Sequence, residues 1–134
     1  MVCTKTIVIA GPTASGKSEL ALHIAADIGG KVINADSMQV YKEFRILTAR
    51  PTQADETRVP HGLYGSVTVA TAFSVGKWLA AAHKQVEMAV RNGQTPIFVG
   101  GTGLYIKALL DGLAAIPPVG EEARKQGMEL YDAL

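Results

Sequence analysis

The octapeptide from Gly11 to Ser18, GPTASGKS, constrains the fold of this chain more than any other stretch of its sequence. It follows the short β-branched run Ile7-Val8-Ile9 and precedes a stretch in which apolar residues recur with the period of a helix. The pattern G-x-x-x-x-G-K-[ST] between a strand and a helix is that of a phosphate-binding loop, or P-loop. The chain is therefore predicted to begin with a strand, a P-loop and a helix.

The residues of this loop predict its chemistry. Its glycines allow several backbone N–H groups to point at one anion, and the following helix adds the positive end of its dipole. Lys17 supplies a mobile cation, and the Ser18 hydroxyl can hold a Mg²⁺ that bridges phosphate oxygens. A tight glycine turn with Ser18 as a helix N-cap is the alternative. We predict a diphosphate or triphosphate ligand, bound by Gly11, Pro12, Thr13, Ala14, Ser15, Gly16, Lys17 and Ser18.

Strand and helix patterns alternate through the rest of the chain. Apolar runs predict further strands over 31–35 and 95–99, and helical periodicity predicts helices over 18–28, 73–92 and 104–110, with a short helix near 54–58. This alternation predicts an α/β fold, a P-loop NTPase-like parallel sheet flanked by helices, with Trp78 in its core. We expect residues 1–116 to form an incomplete P-loop core and 117–134 to begin a helical segment leading into a further region.

Composition limits the classes of protein that this chain can represent. With 134 residues and 48% hydrophobic content, it can bury one core. Its 13 basic and 12 acidic residues nearly cancel, so the chain lacks the large positive net charge that favours binding to nucleic acid. The single Cys3 indicates a cytoplasmic protein, and no apolar run is long enough for a membrane span. The three histidines, His23, His61 and His83, lack metal-ligand spacing and are predicted to be structural.

Polar residues stand where the second and third predicted strands end. Asp36 follows 31–35, and Thr102 follows 95–99 within Gly100-Gly101-Thr102-Gly103. Because ligands of open parallel sheets bind outside the carboxyl ends of the strands, both residues should face the same crevice as the P-loop. Asp36 would act there as a base or hydrogen-bond acceptor toward a second substrate, unless it only caps the turn that follows it.

The glycine cluster after the third strand is open to two interpretations. It could bind a ligand, or it could be only a flexible turn between strand and helix. Because it stands where an ATPase or GTPase carries an acidic residue, hydrolysis of a nucleotide is disfavoured.

Several ordered blocks of the sequence are similar to one known family. They are GPTASGKS at Gly11–Ser18, NADSMQVY at Asn34–Tyr41, TARPT at Thr48–Thr52, Pro60-His61 before Leu63, SVGKW at Ser74–Trp78 and FVGGTGLY at Phe98–Tyr105. Together they resemble the tRNA dimethylallyltransferases, and the similarity runs from about Thr6 to the end of the chain.

The resemblance implies a substrate, an acceptor and roles for individual residues. Dimethylallyl diphosphate would bind through Thr13–Ser18 with Mg²⁺ as cofactor, and Lys17 would stabilise the leaving pyrophosphate. The acceptor would be the N6 amine of the adenine on the 3′ side of the tRNA anticodon, flipped into a channel with Asp36 as its general base. The tRNA would be contacted by Asp36, Ser37, Met38, Gln39, Thr102 and Arg124, with Thr102 also near the reacting centre.

The chain departs from the family in two respects. The stretch from Pro60 to Gly65 reads PHGLYG, where His-Leu-Ile-Asp is commoner. Family members are about twice as long, with a helical insertion that grips the anticodon stem and a returning C-terminal segment. We therefore expect this chain, a monomer, to have little activity alone.

Three alternatives remain at the level of sequence. The P-loop and Asp36 also suit a nucleoside or nucleotide kinase that uses ATP. An adenylate isopentenyltransferase would act on free nucleotides, and a truncated product would bind a ligand or partner without catalysis. Arg124, taken by its pattern alone, would be a solvated helix charge.

Overall fold

The computed structural model describes residues 5–12, 15–44, 50–112 and 121–133. The strands are β1 (Ile7–Ala10), β2 (Gly30–Asn34), β3 (His61–Gly62) and β4 (Thr95–Gly100). The helices are α1 (Lys17–Ile28), α2 (Gln53–Arg58), α3 (Val75–Arg91), α4 (Gly103–Asp111) and α5 (Glu121–Asp132), and Lys42–Phe44 form a 3-10 turn. The predicted alternation of strands and helices is confirmed.

The four strands form one parallel sheet in the order β1-β4-β2-β3. Ile97 at the centre of β4 pairs with Ile7 of β1 on one side and with Val32 of β2 on the other. The last five residues of β4 are all buried, as expected of a central strand covered on both faces. The predicted P-loop NTPase-like parallel sheet is therefore present.

Helices cover both faces of this sheet. On one face, Ala21 and Ala25 of α1 pack against Val32, Ile97 and Val99. On the other face, Ile33 and Phe98 pack against α3 and α4, whose largest contributions are Trp78 and Tyr105. Alternate residues of β1, β2 and β4 thus face opposite cores.

Trp78 is the centre of the second core. Its side chain is 0% exposed, as the sequence predicts. The indole stacks on the ring of Tyr105 with centroids 4.5 Å apart and meets Phe98 edge to face at 6.0 Å. These aromatic contacts pack α3, α4 and β4 against one another.

Local signals set most helix ends. α1 ends at Gly29 in the left-handed conformation, with φ of 69°. α3 begins where the Ser74 hydroxyl accepts a hydrogen bond from the Lys77 amide at 3.2 Å. The predicted helix over 73–92 is thus two residues shorter at its N-terminal end and one at its C-terminal end.

Two parts of the chain lie outside the sheet's core. The two-residue strand β3 was not predicted, and it is followed by Leu63, whose φ of 64° is unusual for a residue with a side chain. All residues of α5 are exposed. Among the described residues, no helix is both long and apolar enough to cross a membrane.

Candidate active site at the strand ends

The P-loop closes on itself through its own side chains. The Ser15 hydroxyl donates to the carbonyl of Pro12 at 2.7 Å, and the Lys17 ammonium donates to the same oxygen at 2.9 Å. Gly16 has a φ of 82° and forms the N-cap of α1, so the loop turns directly into the helix. The predicted Thr13 and Ala14 lie outside the described residues.

This geometry leaves the groups of the loop ready for an anion. A phosphate at the N-terminus of α1 would receive the free N–H groups of the first helical turn. Lys17 would exchange its contact with Pro12 for a charge-assisted hydrogen bond to a phosphate oxygen.

Asp36 lies two residues beyond the end of β2. Between them, the amide of Ala35 still donates to the carbonyl of Val99 in β4 at 2.8 Å. One oxygen of its carboxylate accepts a hydrogen bond from the Met38 amide at 2.9 Å. The predicted turn cap is therefore present, but it uses only one of the two oxygens. No hydrogen bond from a described residue reaches the second oxygen, which is free to accept a proton from a bound ligand.

Asn34, the last residue of β2, holds the main chain of Asp36 in place. Its side-chain oxygen accepts from the Asp36 amide at 2.9 Å, and its Nδ2 donates to the Asp36 carbonyl at 2.8 Å. The same Nδ2 donates to the carbonyl of Leu63 at 3.1 Å. Asn34 is 0% exposed, so the polar atoms of its amide are satisfied inside the protein.

Thr102 meets the same segment from β4. Its hydroxyl oxygen accepts a hydrogen bond from the Ser37 amide at 2.9 Å and lies 3.3 Å from the Ser37 hydroxyl, to which it donates. Thr102 is also the residue from which α4 begins. The structure thus brings together Ser37 and Thr102, which are separated by 65 positions in the sequence.

Glycines allow the three strand ends to approach this closely. A Cβ built on Gly100 would lie 2.2 Å from the carbonyl carbon and oxygen of Ala35, and one on Gly101 would lie 3.0 Å from the carbonyl oxygen of Gly11. Gly100 therefore touches the Asp36 segment, and Gly101 touches the P-loop. We call the P-loop, Asp36–Gln39 and Gly100–Gly103 together the strand-end site.

The far end of Asp36–Gln39 is joined to the turn after β3. The Gly65 amide donates to the carbonyl of Gln39 at 2.9 Å, and the Val67 amide donates to that of Val40 at 3.1 Å. Arg50 adds a bond from Nη1 to the carbonyl of Tyr41 at 3.2 Å. The segment is therefore held at its near end by the side chains of Asn34 and Thr102 and at its far end by the Gly65 amide, while Met38 remains 49% exposed.

In addition to burial, the negative charge of Asp36 contributes to the raised pKa of two phenols, those of Tyr64 and Tyr105. Burial is the first cause that raises the pKa of Tyr64, and the negative charge of Asp36 is the second. Burial, Tyr41 and Asp36, in that order, raise the pKa of Tyr105. Both phenols stay neutral at physiological pH, and no lysine or arginine in the described part of the chain forms an ion pair with Asp36.

The donor set fits a divalent cation only in the company of a phosphate ligand. In the described ranges, no group of three His, Cys, Asp or Glu side chains could hold a metal ion. Ser18 on the first turn of α1 is exposed, and its hydroxyl makes no hydrogen bond to another described residue. A single hydroxyl beside a diphosphate suits Mg²⁺, which keeps phosphate oxygens and water as its other ligands.

Arg124 is the one described residue of the predicted site that the structure leaves apart. It lies on α5, where every side chain is exposed. No hydrogen bond or ion pair between described residues joins it to the strand-end site. Its predicted contact with tRNA stays a prediction.

Sequence reasoning missed the contribution of Asn34. The only available signal was a polar residue directly after Val32 and Ile33, in a strand that should be buried on both faces. Such a residue must satisfy its amide inside the protein, which indicates a structural or positioning role.

Comparison with known proteins agrees with this architecture. Residues 39–133 match the model of the family described as IPP transferase, and residues 4–60 match that described as isopentenyl transferase. A tRNA dimethylallyltransferase of Rhodopseudomonas palustris strain BisA53 is 58% identical over 121 residues, 90% of this chain and 37% of the relative. That of Rhodospirillum rubrum is 57% identical over 128 residues, 96% of this chain and 39% of the relative.

Solved structures show the same fold at lower identity. The full-length tRNA isopentenylpyrophosphate transferase of Bacillus halodurans superposes with a TM-score of 0.81 at 32% identity, over 98% of this chain and 44% of that one. A eukaryotic dimethylallyltransferase acting on tRNA gives 0.81 at 31% identity, over 90% of this chain and 31% of that one. The chain thus spans well under half of the length of the relatives it matches, and it belongs to the IPP transferase family.

Proposed function

We propose that this chain supplies the diphosphate site and the catalytic base of a tRNA dimethylallyltransferase. The dimethylallyl group would pass from its diphosphate to the N6 amine of the adenine on the 3′ side of the anticodon. Relatives named for this activity share more than half of their matched residues with the chain. The observation that carries the proposal is Asp36, with one anchored and one free carboxylate oxygen at the edge of the sheet that the P-loop shares.

The reaction asks for two things that the strand-end site can supply. The adenine nitrogen forms a bond to the allylic carbon while the bond from that carbon to the diphosphate oxygen breaks. The electron pair of the broken bond leaves with pyrophosphate, and the amine proton passes to the free oxygen of Asp36. Lys17 and the amides at the start of α1 would stabilise the charge that develops on the leaving group.

A divalent cation would be held by Ser18 and the diphosphate. Mg²⁺ bound there supplies further stabilisation of the leaving pyrophosphate. The hydroxyl of Thr102 is already bonded to Ser37, so its part in this step is to fix the segment that carries Asp36 against β4. We place the reaction in the cytoplasm, where tRNA is modified.

Binding separates the transferase from a kinase. We would titrate the chain with dimethylallyl diphosphate, pyrophosphate and ATP, each with Mg²⁺, by calorimetry. Tighter binding of the allylic diphosphate than of pyrophosphate supports an apolar pocket beside the P-loop. A preference for ATP would favour the kinase, which the P-loop and Asp36 could also serve.

Transfer tests the role of Asp36 directly. Because the chain spans 39% of the Rhodospirillum rubrum relative, we would graft it into that protein in place of the matching region. Asp36→Ala should lower the rate of transfer to tRNA by about 10²- to 10⁴-fold, the usual contribution of a general base, with the affinity for dimethylallyl diphosphate retained. The control is Asp27→Asn, an exposed carboxylate on α1. Unchanged turnover in Asp36→Ala, or transfer to free AMP instead of tRNA, would contradict the proposal.

A further inference from the structure

Asn34 has a hydrogen-bond arrangement that a merely buried amide does not need. Its side-chain oxygen accepts from the main-chain amide of Asp36, and its Nδ2 donates to the main-chain carbonyl of the same residue. Any Asn that ends a strand could satisfy itself with solvent or with a neighbouring strand. Here both polar atoms of the amide bond to Asp36, whose carboxylate belongs to the strand-end site.

A second set of contacts fixes Asn34 itself. The indole nitrogen of Trp78 donates to the carbonyl of Asn34 at 2.9 Å across 44 positions of the sequence. Trp78 is clamped between Tyr105 and Phe98. The main chain of Asn34 is thereby bound to the rigid aromatic core between α3 and α4.

The remaining bond ties Asp36 to a strained turn. Nδ2 of Asn34 also donates to the carbonyl of Leu63, whose left-handed φ of 64° costs free energy for a residue with a side chain. Such a conformation persists where surrounding contacts determine it. One amide therefore joins the end of β2, the turn after β3 and the segment that carries the carboxylate.

We propose that Asn34 is a positioning residue that fixes the Asp36 carboxylate for proton transfer. This inference rests on the proposed function, since it assumes that Asp36 is the base. Asn34 is 0% exposed, so its side chain acts through Asp36 and not on a ligand. It sets the direction of the main chain at Asp36, and the Met38 amide then selects which carboxylate oxygen stays free.

Loss of the Asn34 side chain should therefore lower the rate of transfer without lowering the affinity for the diphosphate substrate. A base displaced by about 1 Å costs on the order of a hundredfold in rate, because the reacting atoms no longer meet at the required distance. The P-loop lies between other elements, β1 and α1, and none of its described residues shares a hydrogen bond with Asn34. We therefore expect a substitution of Asn34 to leave the affinity for dimethylallyl diphosphate unchanged.

The test compares two variants of the same strand. Asn34→Ser removes the Nδ2 donor and shortens the side chain. Val32→Ala opens a hole in the core against α1 without touching the Asn34 network, and serves as the control for a general loss of stability. Both substitutions are introduced into the chain itself, where ligand binding and hydrogen exchange are measured. They are also introduced into the graft in the Rhodospirillum rubrum relative, where transfer to tRNA is measured.

Hydrogen exchange of the chain reads the geometry without any activity. In Asn34→Ser we expect the amides of Asp36 and Met38 to lose at least tenfold of their protection, while the amides of β4 keep theirs. Calorimetry should give the same dissociation constant for dimethylallyl diphosphate in both variants. In the graft, Asn34→Ser should lower kcat at least tenfold at an unchanged KM for the diphosphate, and Val32→Ala should leave kcat within about twofold.

Each result bears on one proposal at a time. Retained protection of Asp36 and Met38, or an equal fall of kcat in Val32→Ala, would overturn the positioning role. A graft that fails to transfer even with the unchanged sequence would remove the proposed function, and the exchange data would still decide whether Asn34 fixes Asp36. If Asn34→Ser does not fold, Trp78→Phe weakens the same network from the other side and should reproduce the loss of protection at Asp36.

Discussion

Gly100 shows how a single position can decide whether the strand-end site forms. A Cβ at this position would lie 2.2 Å from two main-chain atoms of Ala35, and main-chain atoms cannot rotate away as a side chain can. The last residue of β4 and the segment that leads into Asp36 therefore pack backbone against backbone. Any side chain at this point must push β2 and β4 apart.

The substitution Gly100→Ala should both destabilise the chain and disturb the site. Overpacking of this kind costs about 1–3 kcal/mol of unfolding free energy, and the displaced Ala35 would carry Asp36 with it. Urea denaturation followed by the fluorescence of Trp78 measures the first effect. Gly103→Ala is the matched control, because a Cβ there meets nothing within 4 Å. Equal stability of the two variants would contradict the packing argument.

The residues of the site were predictable from sequence to different degrees. The pattern of the P-loop and the rule that parallel strands end at a common edge predict that Lys17, Asp36 and Thr102 belong to one site. The contacts that fix them were not predictable, because Asn34 and Gly100 act through neighbours distant in sequence. A GGTG cluster cannot reveal that its first glycine packs on Ala35, just after β2, and its second on the P-loop.

At the level of elements, α2 depends on a reciprocal cap. Thr52 donates its amide to the Asp55 carboxylate at 2.9 Å, and its hydroxyl accepts from the Asp55 amide at 3.2 Å. The main-chain bond from Thr52 is the first cause that lowers the pKa of Asp55 below its ordinary 3.8, and the Thr52 side chain is the second. A helix of six residues has few other contacts to hold its first turn.

This cap should make part of the stability of the chain dependent on pH. Because the pKa of Asp55 is lowered in the folded state, the stabilisation is complete above 3.8 and is lost as the pH falls through the folded value. Asp55→Ala should therefore lower the unfolding free energy by about 0.3–1 kcal/mol at pH 7, the usual contribution of a carboxylate in the first turn of a helix. The difference from the unchanged chain should shrink below pH 3.8. Gln53→Ala, an exposed neighbour, should show no such pH dependence; a constant difference for Asp55→Ala would refute the cap.

The order of the strands illustrates what the pattern of elements leaves undetermined. The crossover rule correctly predicts that β2 runs parallel to β1. It does not say that β4, which comes last in the sequence, lies between them. That placement is seen only in the structure, where β4 pairs with β1 on one side and with β2 on the other. The strand β3 has only two residues, too few to carry an alternating pattern.

On the scale of the whole molecule, the described chain divides into a packed sheet and a helix that buries nothing. α5 exposes every side chain, including Leu130 at 71% and Tyr131 at 77%. Its first turn carries Glu121 and Glu122, which favour a helix N-terminus, but an isolated helix of twelve residues is marginal in water. The burial that stabilises the fold therefore comes from elements before Gly112.

Removal of residues 113–134 should leave the stability of the sheet unchanged. The truncation removes α5, which buries no side chain in the described part of the structure, so the unfolding free energy should change by less than about 0.5 kcal/mol. The slope of its dependence on urea should also stay constant, since it follows the surface exposed on unfolding. Trp78 is the only tryptophan and is 0% exposed, so its fluorescence reports the core in both chains. A loss of more than about 1 kcal/mol, well beyond that expected for residues without buried contacts, would show that this segment packs on the sheet.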